Sequence, residues 1–396
     1  MTDRPDAPGP MLRRGPRPLL LHLTLGTLKS TGSNAGSPNS RYDWDNWSVV
    51  EEAVRASAAG EVPPTVDPGL IAGIAAYRRH PWSRDLADPP HVWAEGGSRI
   101  LDYRGTGDGP IVLFVPSLVN RAHVLDLMQG HSMLRFLAAH GVRPLLLDWG
   151  WPGAIERGFT LTDYVAGRLE RAMEAAVALA GGKIVLAGYC MGGNLAVAAA
   201  ERRLDLVSAL ALLATPWDFH APDPARAQRA AACLPMLEPA MAFNGTLPID
   251  VLQTLFTLLD PFGVGDKFRA FARVDQDSAR ARLFVAMEDW LNDGLPLVAG
   301  VARTCLGTWY GANAPARGEW RIAGLPVNAA RLTMPAFVAA PGRDRIVPPE
   351  SARVLAAAIP GAVLHVPAAG HVGMVAGAGA EAALWRPLLG WLAGLG

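Results

Sequence analysis

Hydrophobic and polar positions along this chain follow two periods, one typical of strands and one typical of helices. Short apolar runs rich in Val, Ile and Leu are each bounded by glycine, proline or aspartate, which predicts strands buried on both faces. A first segment, 91–103, has the alternation of a hairpin. The predicted buried strands are 111–115, 142–147 and 206–214, and further strands are predicted at 184–187, 335–340 and 362–366.

Helical spacing appears between these runs. Apolar residues recur every three to four positions over 161–179, after a start signal formed by Thr160, Thr162 and Asp163. A second helix follows 184–187 and extends to about Arg202, and a closing helix is predicted over 380–395. Strands that alternate with helices predict an α/β fold with a mostly parallel, doubly wound sheet.

The alternation stops between 215 and 333, where helical fragments, prolines and aromatic residues follow one another without a strand–helix rhythm. An insertion between two core strands is best placed over the carboxyl ends of the strands, where open α/β sheets bind ligands. We therefore predict an N-terminal helical and loop segment (1–90), a core (91–214 and 334–396) and a helical cap insertion (215–333).

The N-terminal residues partly resemble a targeting signal. Three arginines, the last of them Arg17, precede an apolar run at 18–28 of about signal-peptide length. Polar residues interrupt the run and no convincing cleavage site follows. A local helix or a surface-attached segment, followed by a flexible Gly/Ser/Asn/Pro loop, is the favoured interpretation over export.

Composition narrows the function classes. Hydrophobic residues make up 50% of the chain and charged residues 18%, which is enough for a sizeable core. The formal net charge is zero, so no electrostatic footprint for nucleic acid is expected. No run of apolar residues is long enough for a transmembrane helix. Three scattered cysteines fit a reducing compartment, and we expect a cytoplasmic protein.

One cysteine lies where chemistry is expected. Cys190 follows the run 184–187 and has glycines two residues before and after it, Gly188 and Gly192. This is the pattern of a nucleophile elbow, in which a strained residue between strand and helix presents its side chain. The alternative is a buried, inert cysteine at a strand end.

A thiol nucleophile requires a base, and the base requires a group that orients it. Asp344 follows the strand 335–340, and His371 follows the strand 362–366. The order nucleophile, acid, histidine is that of the α/β-hydrolase fold. Taken singly, Asp344 could be a turn residue and His371 a surface or core residue. Asp148 also ends a strand and is the secondary acid candidate, favoured for a structural or lining role.

Acyl transfer also requires donors for an oxyanion. The backbone N–H of Met191 is the first candidate, and Leu118 or Val119, after the strand 111–115, is expected to supply the second. His123 and His131 show no metal-ligand spacing, so we predict no metal site. No phosphate-binding motif is present, and no cofactor is expected.

Several blocks of the chain resemble the poly(3-hydroxyalkanoate) synthases, most closely the catalytic subunit of the short two-component (class III) type. The resemblance runs from about Pro110 to the C-terminus. The blocks lie around 119–127, 147–152, 161–164, 188–193, 215–219, 287–290, 344–349 and 370–373. Residues 1–90 and the middle of the cap, 221–258, match weakly, and Met191 stands where two-component members often have Gln.

The resemblance implies an acyltransferase that polymerises (R)-3-hydroxyacyl-CoA into polyester and releases CoA. It implies Cys190 as the acylated nucleophile, His371 as the base, and Asp344 as the partner of the histidine and an activator of the incoming 3-hydroxyl. A capped hydrolase, acting as thioesterase, esterase or polyester depolymerase, has the same fold and triad and remains the alternative. An inactive scaffold is the third candidate.

The resemblance also bears on partners. It implies hydroxyacyl-CoA and a growing polyester chain as the molecules bound, with CoA as product. It leaves open a second synthase subunit, a homodimer, and a location at the surface of polyester granules. The acyl chain length is not predicted.

Overall fold

The computed structural model describes residues 13–32, 55, 59, 67–105, 107 and 109–395. Residue contacts divide the chain into two compact units. One consists of the described residues of Met1–Asp85 with Asp250–Asn292, and the other of those of Leu86–Ile249 with Asp293–Gly396. The predicted cap insertion is thus divided: 250–292 belongs with the N-terminal residues, and its two ends belong with the sheet.

An eight-stranded sheet forms the centre of the second unit. The strands are β1 His91–Glu95, β2 Ser98–Asp102, β3 Ile111–Val115, β4 Arg143–Asp148, β5 Ile184–Tyr189, β6 Val207–Leu213, β7 Ala336–Ala339 and β8 Val363–His365. Their order in the sheet is β1-β2-β4-β3-β5-β6-β7-β8. The hairpin β1–β2 and the pair β2–β4 are antiparallel, and every other pair is parallel.

The predicted hairpin and the six other predicted strands are confirmed, with ends shifted by at most two residues. The last of them, β8, is an edge strand in which Val363 and Leu364 are exposed. The central strand β5 is buried along its whole length because helices cover both faces of a parallel sheet. Parallel strands β3, β5, β7 and β8 end at the same edge of the sheet, so the loops after them are brought together.

Helices connect these strands. The α-helices of this unit are Met133–Ala139, Glu170–Ala180, Met191–Arg202, Pro224–Ala232, Leu234–Asn244, Ala299–Arg303, Pro349–Ala358, Gly373–Ala376 and Arg386–Ala393. Three π-helical stretches (Asp163–Leu169, Thr304–Gly311, Glu381–Trp385) and three 3₁₀ turns (Ala122–Leu125, Glu156–Gly158, Ala329–Arg331) complete it. Two-residue to three-residue ladders pair Asp126–Met128 with His131–Ser132, Thr246–Leu247 with Leu297–Val298, and Arg321–Ile322 with Leu325–Pro326.

The predicted start of the helix at 161–179 has a direct cause. The backbone N–H and the hydroxyl of Thr160 both donate to Asp163 Oδ2, each at 2.7 Å. This closes the first turn as a capping residue does. The helix that follows is continuous with Glu170–Ala180 but begins as the π-helical stretch Asp163–Leu169.

The first unit is helical. Its helices are Leu19–Gly32, Pro68–Arg79, Gly263–Phe271 and Ala279–Asn292, and Ile249–Thr257 lies at the boundary between the units. Pro68–Arg79 and Gly263–Phe271 cross closely, because a Cβ at Gly73 would overlap the carbonyl of Phe268. The buried residues Leu70, Ile74, Tyr77, Phe268, Phe271, Ala281 and Val285 form its core.

The predicted N-terminal helix is thus present as Leu19–Gly32. The loop expected after it, and most of the segment between it and Pro68, lie outside the described residues. Within the residues that are described, no helix has both the length and the hydropathy needed to cross a membrane.

Candidate active site

Cys190 occupies the turn between β5 and the helix Met191–Arg202. Its backbone has φ 54° and ψ −130°, a region that side-chain-bearing residues rarely adopt. The Cys190 N–H donates to the carbonyl of Leu213, at the end of β6, at 2.8 Å. The expected strand, sharp turn and helix are all present, and the helix begins at Met191, directly after the cysteine.

The glycines of the elbow are required by close contacts. A Cβ at Gly188 would lie 2.7 Å from the carbonyl oxygen of Gly192, and a Cβ at Gly192 would overlap the carbonyl of Val115. A third glycine, Gly193, has no room either, because its Cβ would overlap the side chain of Thr215. The doubled glycine, Gly192-Gly193, is the sequence signal for this second close approach.

His371 and Asp344 meet at the edge of the sheet where Cys190 lies. The His371 Nδ1 and Asp344 Oδ2 atoms are 2.6 Å apart. The Asp344 side chain is fully buried and that of His371 is 8% exposed. The predicted acid and base are thus brought into direct contact, although they come from loops that follow different strands.

The backbone after Asp344 holds its carboxylate in place. Asp344 Oδ1 accepts hydrogen bonds from the N–H groups of Ile346 at 2.8 Å and Val347 at 2.9 Å. Both oxygens are therefore engaged, one by the turn and the other by His371. A carboxylate fixed in this way can orient an imidazole and stabilise its cation.

The thiol of Cys190 lies close enough to the His371 ring to affect the pKa of the imidazole. Because Nδ1 faces Asp344, the nitrogen available to the thiol is Nε2. Burial lowers the pKa of His371, but the charges of Cys190 and Asp344, with the hydrogen bond to Asp344, raise it to about 10. The surroundings therefore favour an imidazolium next to the sulfur.

The loop after β3 approaches the elbow, as the oxyanion prediction requires. Val115 is paired with Gly188, and Gly192 packs against the carbonyls of Val115 and Pro116. The Val119 N–H donates to Ser117 Oγ at 3.1 Å. This N–H therefore already has a partner, which favours the Leu118 candidate over Val119. The oxyanion roles of Leu118 and of Met191, whose N–H begins the helix, stay predictions.

Asp148 lies apart from this group. Its Oδ2 accepts from Arg99 Nε and its Oδ1 from the Gly150 N–H, both at 3.1 Å. These contacts join β4 to β2 and form the turn after β4, which matches the favoured structural role. No group of three His, Cys, Asp or Glu side chains among the described residues could hold a metal ion.

The π-helical stretch Thr304–Gly311 contributes two residues near the nucleophile that the sequence did not single out. Burial raises the pKa of Cys305 to about 12, and the charge of Cys190 contributes to this shift. Burial likewise raises the pKa of Tyr310 to about 12, with contributions from Cys305 and Cys190. Nothing in the spacing of Cys305 pointed to Cys190, because the two meet only through the fold.

Hydrogen bonds fix this stretch to the loop after β6. The Asn313 Nδ2 donates to Asp218 Oδ1 at 2.8 Å, and Asn313 Oδ1 accepts from the Phe219 N–H at 2.9 Å. The ring of His220 contacts the carbonyl of Tyr310 at 2.9 Å through Nε2. The block at 215–219 therefore supports one wall of the site.

Comparisons with known proteins agree with this geometry. The alpha/beta hydrolase family matches residues 112–383, from β3 past His371. The poly(3-hydroxyalkanoate) polymerase subunit PhaC of Synechocystis sp. is 30% identical over 291 residues, which are 71% of this chain and 77% of that protein. The chain belongs to the poly(3-hydroxyalkanoate) polymerase family.

Two other polymerase subunits of the same name are similar over comparable lengths. That of Haloferax mediterranei is 29% identical over 76% of this chain and 63% of its own length. That of Allochromatium vinosum is 28% identical over 62% of this chain and 69% of its own length. The predicted family and the α/β-hydrolase fold are confirmed.

Proposed function

We propose that this chain polymerises (R)-3-hydroxyacyl-CoA into polyester through a thioester on Cys190. The observation that carries the proposal is the thiol on a strained elbow beside His371, whose ring is held by Asp344. Membership of the polymerase family supplies the reaction class. A thioester intermediate suits this reaction because it passes an acyl group from the sulfur of CoA to a hydroxyl.

Acylation is the first step. His371 Nε2 takes the thiol proton, and the thiolate attacks the carbonyl carbon of the acyl-CoA. The negative charge on the carbonyl oxygen would be stabilised by the N–H groups of Met191 and Leu118. The bond to the CoA sulfur then breaks, and the imidazolium returns its proton to the leaving thiolate, which releases CoA.

Chain growth follows from the same residues. The 3-hydroxyl of the next hydroxyacyl-CoA gives its proton to His371, and its oxygen attacks the thioester carbonyl. The Cys190 sulfur leaves and takes the proton from the imidazolium. The chain, longer by one unit and carried by CoA, then acylates Cys190 again.

We propose that Asp344 acts mainly through His371. Its carboxylate is fully buried, and both oxygens are engaged by His371 and by backbone N–H groups. In this arrangement the incoming hydroxyl is left to His371, and Asp344 serves to position and charge the imidazole.

The product of the reaction tests the proposal. Purified protein incubated with 3-hydroxybutyryl-CoA is expected to release free CoA, measured with a thiol reagent, and to form an insoluble polyester. Release of CoA with only free 3-hydroxybutyrate would show a thioesterase and contradict the proposal. That outcome corresponds to water as the acceptor, which is the remaining alternative for this fold.

Two variants of Cys190 separate the covalent step from binding. Cys190→Ala is expected to release no CoA above background and to retain no acyl group from labelled substrate. Cys190→Ser keeps an oxygen nucleophile on the same elbow, and we expect it to form an ester that transfers slowly. Equal labelling of the wild type and Cys190→Ala would exclude the thioester.

Assembly and location are proposed from the relatives. Their names describe subunits, and we therefore propose that the chain works with a second synthase subunit, as in the two-component type, at the surface of polyester granules in the cytoplasm. Copurification from the source cell tests whether a second subunit binds. The chain length of the polymer and the rate of its synthesis are then compared with and without the copurified subunit. An unchanged rate and an unchanged product would contradict it.

A further inference from the structure

Three arginines lie around the turn that carries Asp344. Arg343 and Arg345 flank the triad aspartate in the chain, and both residues are exposed. Arg226 reaches the same turn from the helix Pro224–Ala232, and its Nη2 donates to the carbonyl oxygen of Arg345 at 3.0 Å. We call these three side chains the basic rim. Because Asp344 is bound to the triad histidine, the rim lies at the edge of the sheet that bears the triad.

Two members of the basic rim carry charges that the fold does not neutralise. Within the part of the chain that the structure describes, neither Arg226 nor Arg343 forms an ion pair with a carboxylate. Arg229, one turn further along the helix, differs, because its Nη2 lies 3.7 Å from Asp223 Oδ2. Asp344 is adjacent in the chain, but its side chain is fully buried. The rim therefore presents positive charge to solvent.

The stability of its own helix does not explain the position of Arg226. The helix begins at Pro224 after the N-cap residue Asp223, so Arg226 lies in the first turn. The N-terminus of a helix carries a partial positive charge, which makes a cation there unfavourable. An arginine that has neither an ion pair nor a favourable place in its helix indicates a contact with an anion from outside the chain.

Tyr310 connects the basic rim with the nucleophile. Burial and the charges of Cys305 and Cys190 raise the pKa of Tyr310, and the charge of Arg226 lowers it. The phenol therefore lies within electrostatic range of both the Cys190 sulfur and the Arg226 guanidinium. Cys190, Tyr310 and Arg226 are each partly exposed. These exposed surfaces lie on the side from which a substrate can reach the sulfur.

We propose that the basic rim binds the phosphate groups of the acyl-CoA substrate while the thioester lies at Cys190. The inference deepens the proposed function and rests on it for the identity of the substrate. CoA carries a diphosphate and a 3′-phosphate, and guanidinium groups bind phosphate oxygens through paired, charge-assisted hydrogen bonds. The long pantetheine arm separates these phosphates from the sulfur, which matches a rim that lies outside the triad.

The proposal is tested with substrates that have and lack the phosphates. Arg226→Gln should raise KM for 3-hydroxybutyryl-CoA about fivefold to tenfold, with kcat little changed, because a charge-assisted hydrogen bond at a partly exposed site is lost. The 3-hydroxybutyryl thioester of pantetheine has the same reacting atoms and no phosphate. Its kcat/KM should be the same in the variant and the wild type, as measured by release of the thiol.

A structural role of Arg226 would give a different result. Loss of its hydrogen bond to the Arg345 carbonyl would disturb the Asp344 turn and slow both thioesters equally, which would contradict the proposal. Arg343→Gln is a second variant, since no hydrogen bond of the Arg343 side chain exists among the described residues. It should raise KM for the CoA thioester alone. An unchanged KM in both variants would overturn the proposal.

The matched control is Arg229→Gln, on the same helix. It removes an equal positive charge, but from a side chain that is already paired with Asp223. This variant is expected to keep the wild-type KM for the CoA thioester. A rise in KM as large as that of Arg226→Gln would show that the net charge of the surface sets the affinity, and would contradict the assignment.

Direct binding separates this proposal from the proposed function, because calorimetry requires no turnover. The wild type should bind CoA at least about fivefold more tightly than pantetheine, and this ratio should fall in Arg226→Gln. That result would support the rim even in a protein that only hydrolysed the thioester, which would contradict polymerisation alone. Equal affinity for CoA and pantetheine, or binding of inorganic phosphate as tight as that of CoA, would contradict the rim.

Discussion

The two oxygens of Asp344 have different partners, and this asymmetry makes the residue sensitive to small changes. Oδ1 accepts two backbone N–H groups and Oδ2 faces His371 Nδ1. An asparagine here must turn its carbonyl oxygen toward the N–H groups, because its NH₂ group cannot accept from them. The NH₂ group would then face Nδ1 and force the imidazole proton onto Nε2, where the thiol proton has to go.

We therefore expect Asp344→Asn to fold but to lose activity. The rate of CoA release should fall about 10³-fold to 10⁴-fold, the order of loss seen when a triad histidine is held in the wrong tautomer. Asp344→Ala lacks the turn acceptor as well and should show the lower melting temperature of the two. An Asn variant with activity within tenfold of the wild type would contradict this role.

The pKa of His371 predicts a dependence of stability on pH. Its folded value, about 10, is above the unfolded value of about 6.5. The contribution to the free energy of unfolding is therefore fully present below about pH 6.5 and declines as the pH rises towards 10. Urea unfolding at about pH 6.5 and 9.5 should show a smaller decline in His371→Asn than in the wild type. Equal declines would contradict the shift.

At the scale of elements, the helix Met191–Arg202 lies so close to the loop after β6 that the elbow has no room for a side chain at Gly193. A Cβ at Gly193 would overlap the side chain of Thr215. We expect Gly193→Ala to lower the free energy of unfolding by about 1–3 kcal/mol, the usual cost of overpacking. Thr215→Ala in that background should restore part of the loss, measured by urea unfolding as a double-mutant cycle.

Gly182 provides the control for this substitution. It has no atoms within 4 Å of an added Cβ, and its φ is ordinary. Gly182→Ala should change the free energy of unfolding by less than about 0.5 kcal/mol. A loss at Gly182 as large as at Gly193 would mean that contact with Thr215 does not set the cost.

The sequence predicted the elements whose pattern is local and missed the contacts that only the fold creates. Strand β5 and its elbow follow from an apolar run and two glycines, and the order of Cys190, Asp344 and His371 indicated their meeting. The choice of Leu118 over Val119 depends on the Ser117 hydroxyl, which no periodicity reveals.

At the scale of the whole molecule, the two compact units depend on different contacts. In the first unit, Asp289 accepts from Arg13 Nε and from the Tyr77 hydroxyl, both at 2.7 Å. This aspartate lies in the block 287–290 that resembles the polymerases, which the sequence placed in the cap. The block therefore acts here through packing of the first unit.

Asp289→Ala should weaken that unit selectively, because it leaves Arg13 and the Tyr77 hydroxyl without this acceptor. Hydrogen exchange measured by mass spectrometry is expected to accelerate in peptides from Pro68–Arg79 and Ala279–Asn292. Peptides from β5 and from Met191–Arg202 should keep their wild-type protection. Uniform acceleration through the chain would show that the two units open together.

The left-handed backbone at Cys190 has a consequence for how this protein can be changed. A side chain at φ 54° costs about 1–3 kcal/mol, which a glycine at the same place would avoid. Selection for heat resistance alone would therefore favour glycine at position 190. That change would remove the Cys190 sulfur atom, which the reaction requires. Engineered libraries of this enzyme should be screened for turnover before they are screened for melting temperature, because at this position the two properties oppose each other.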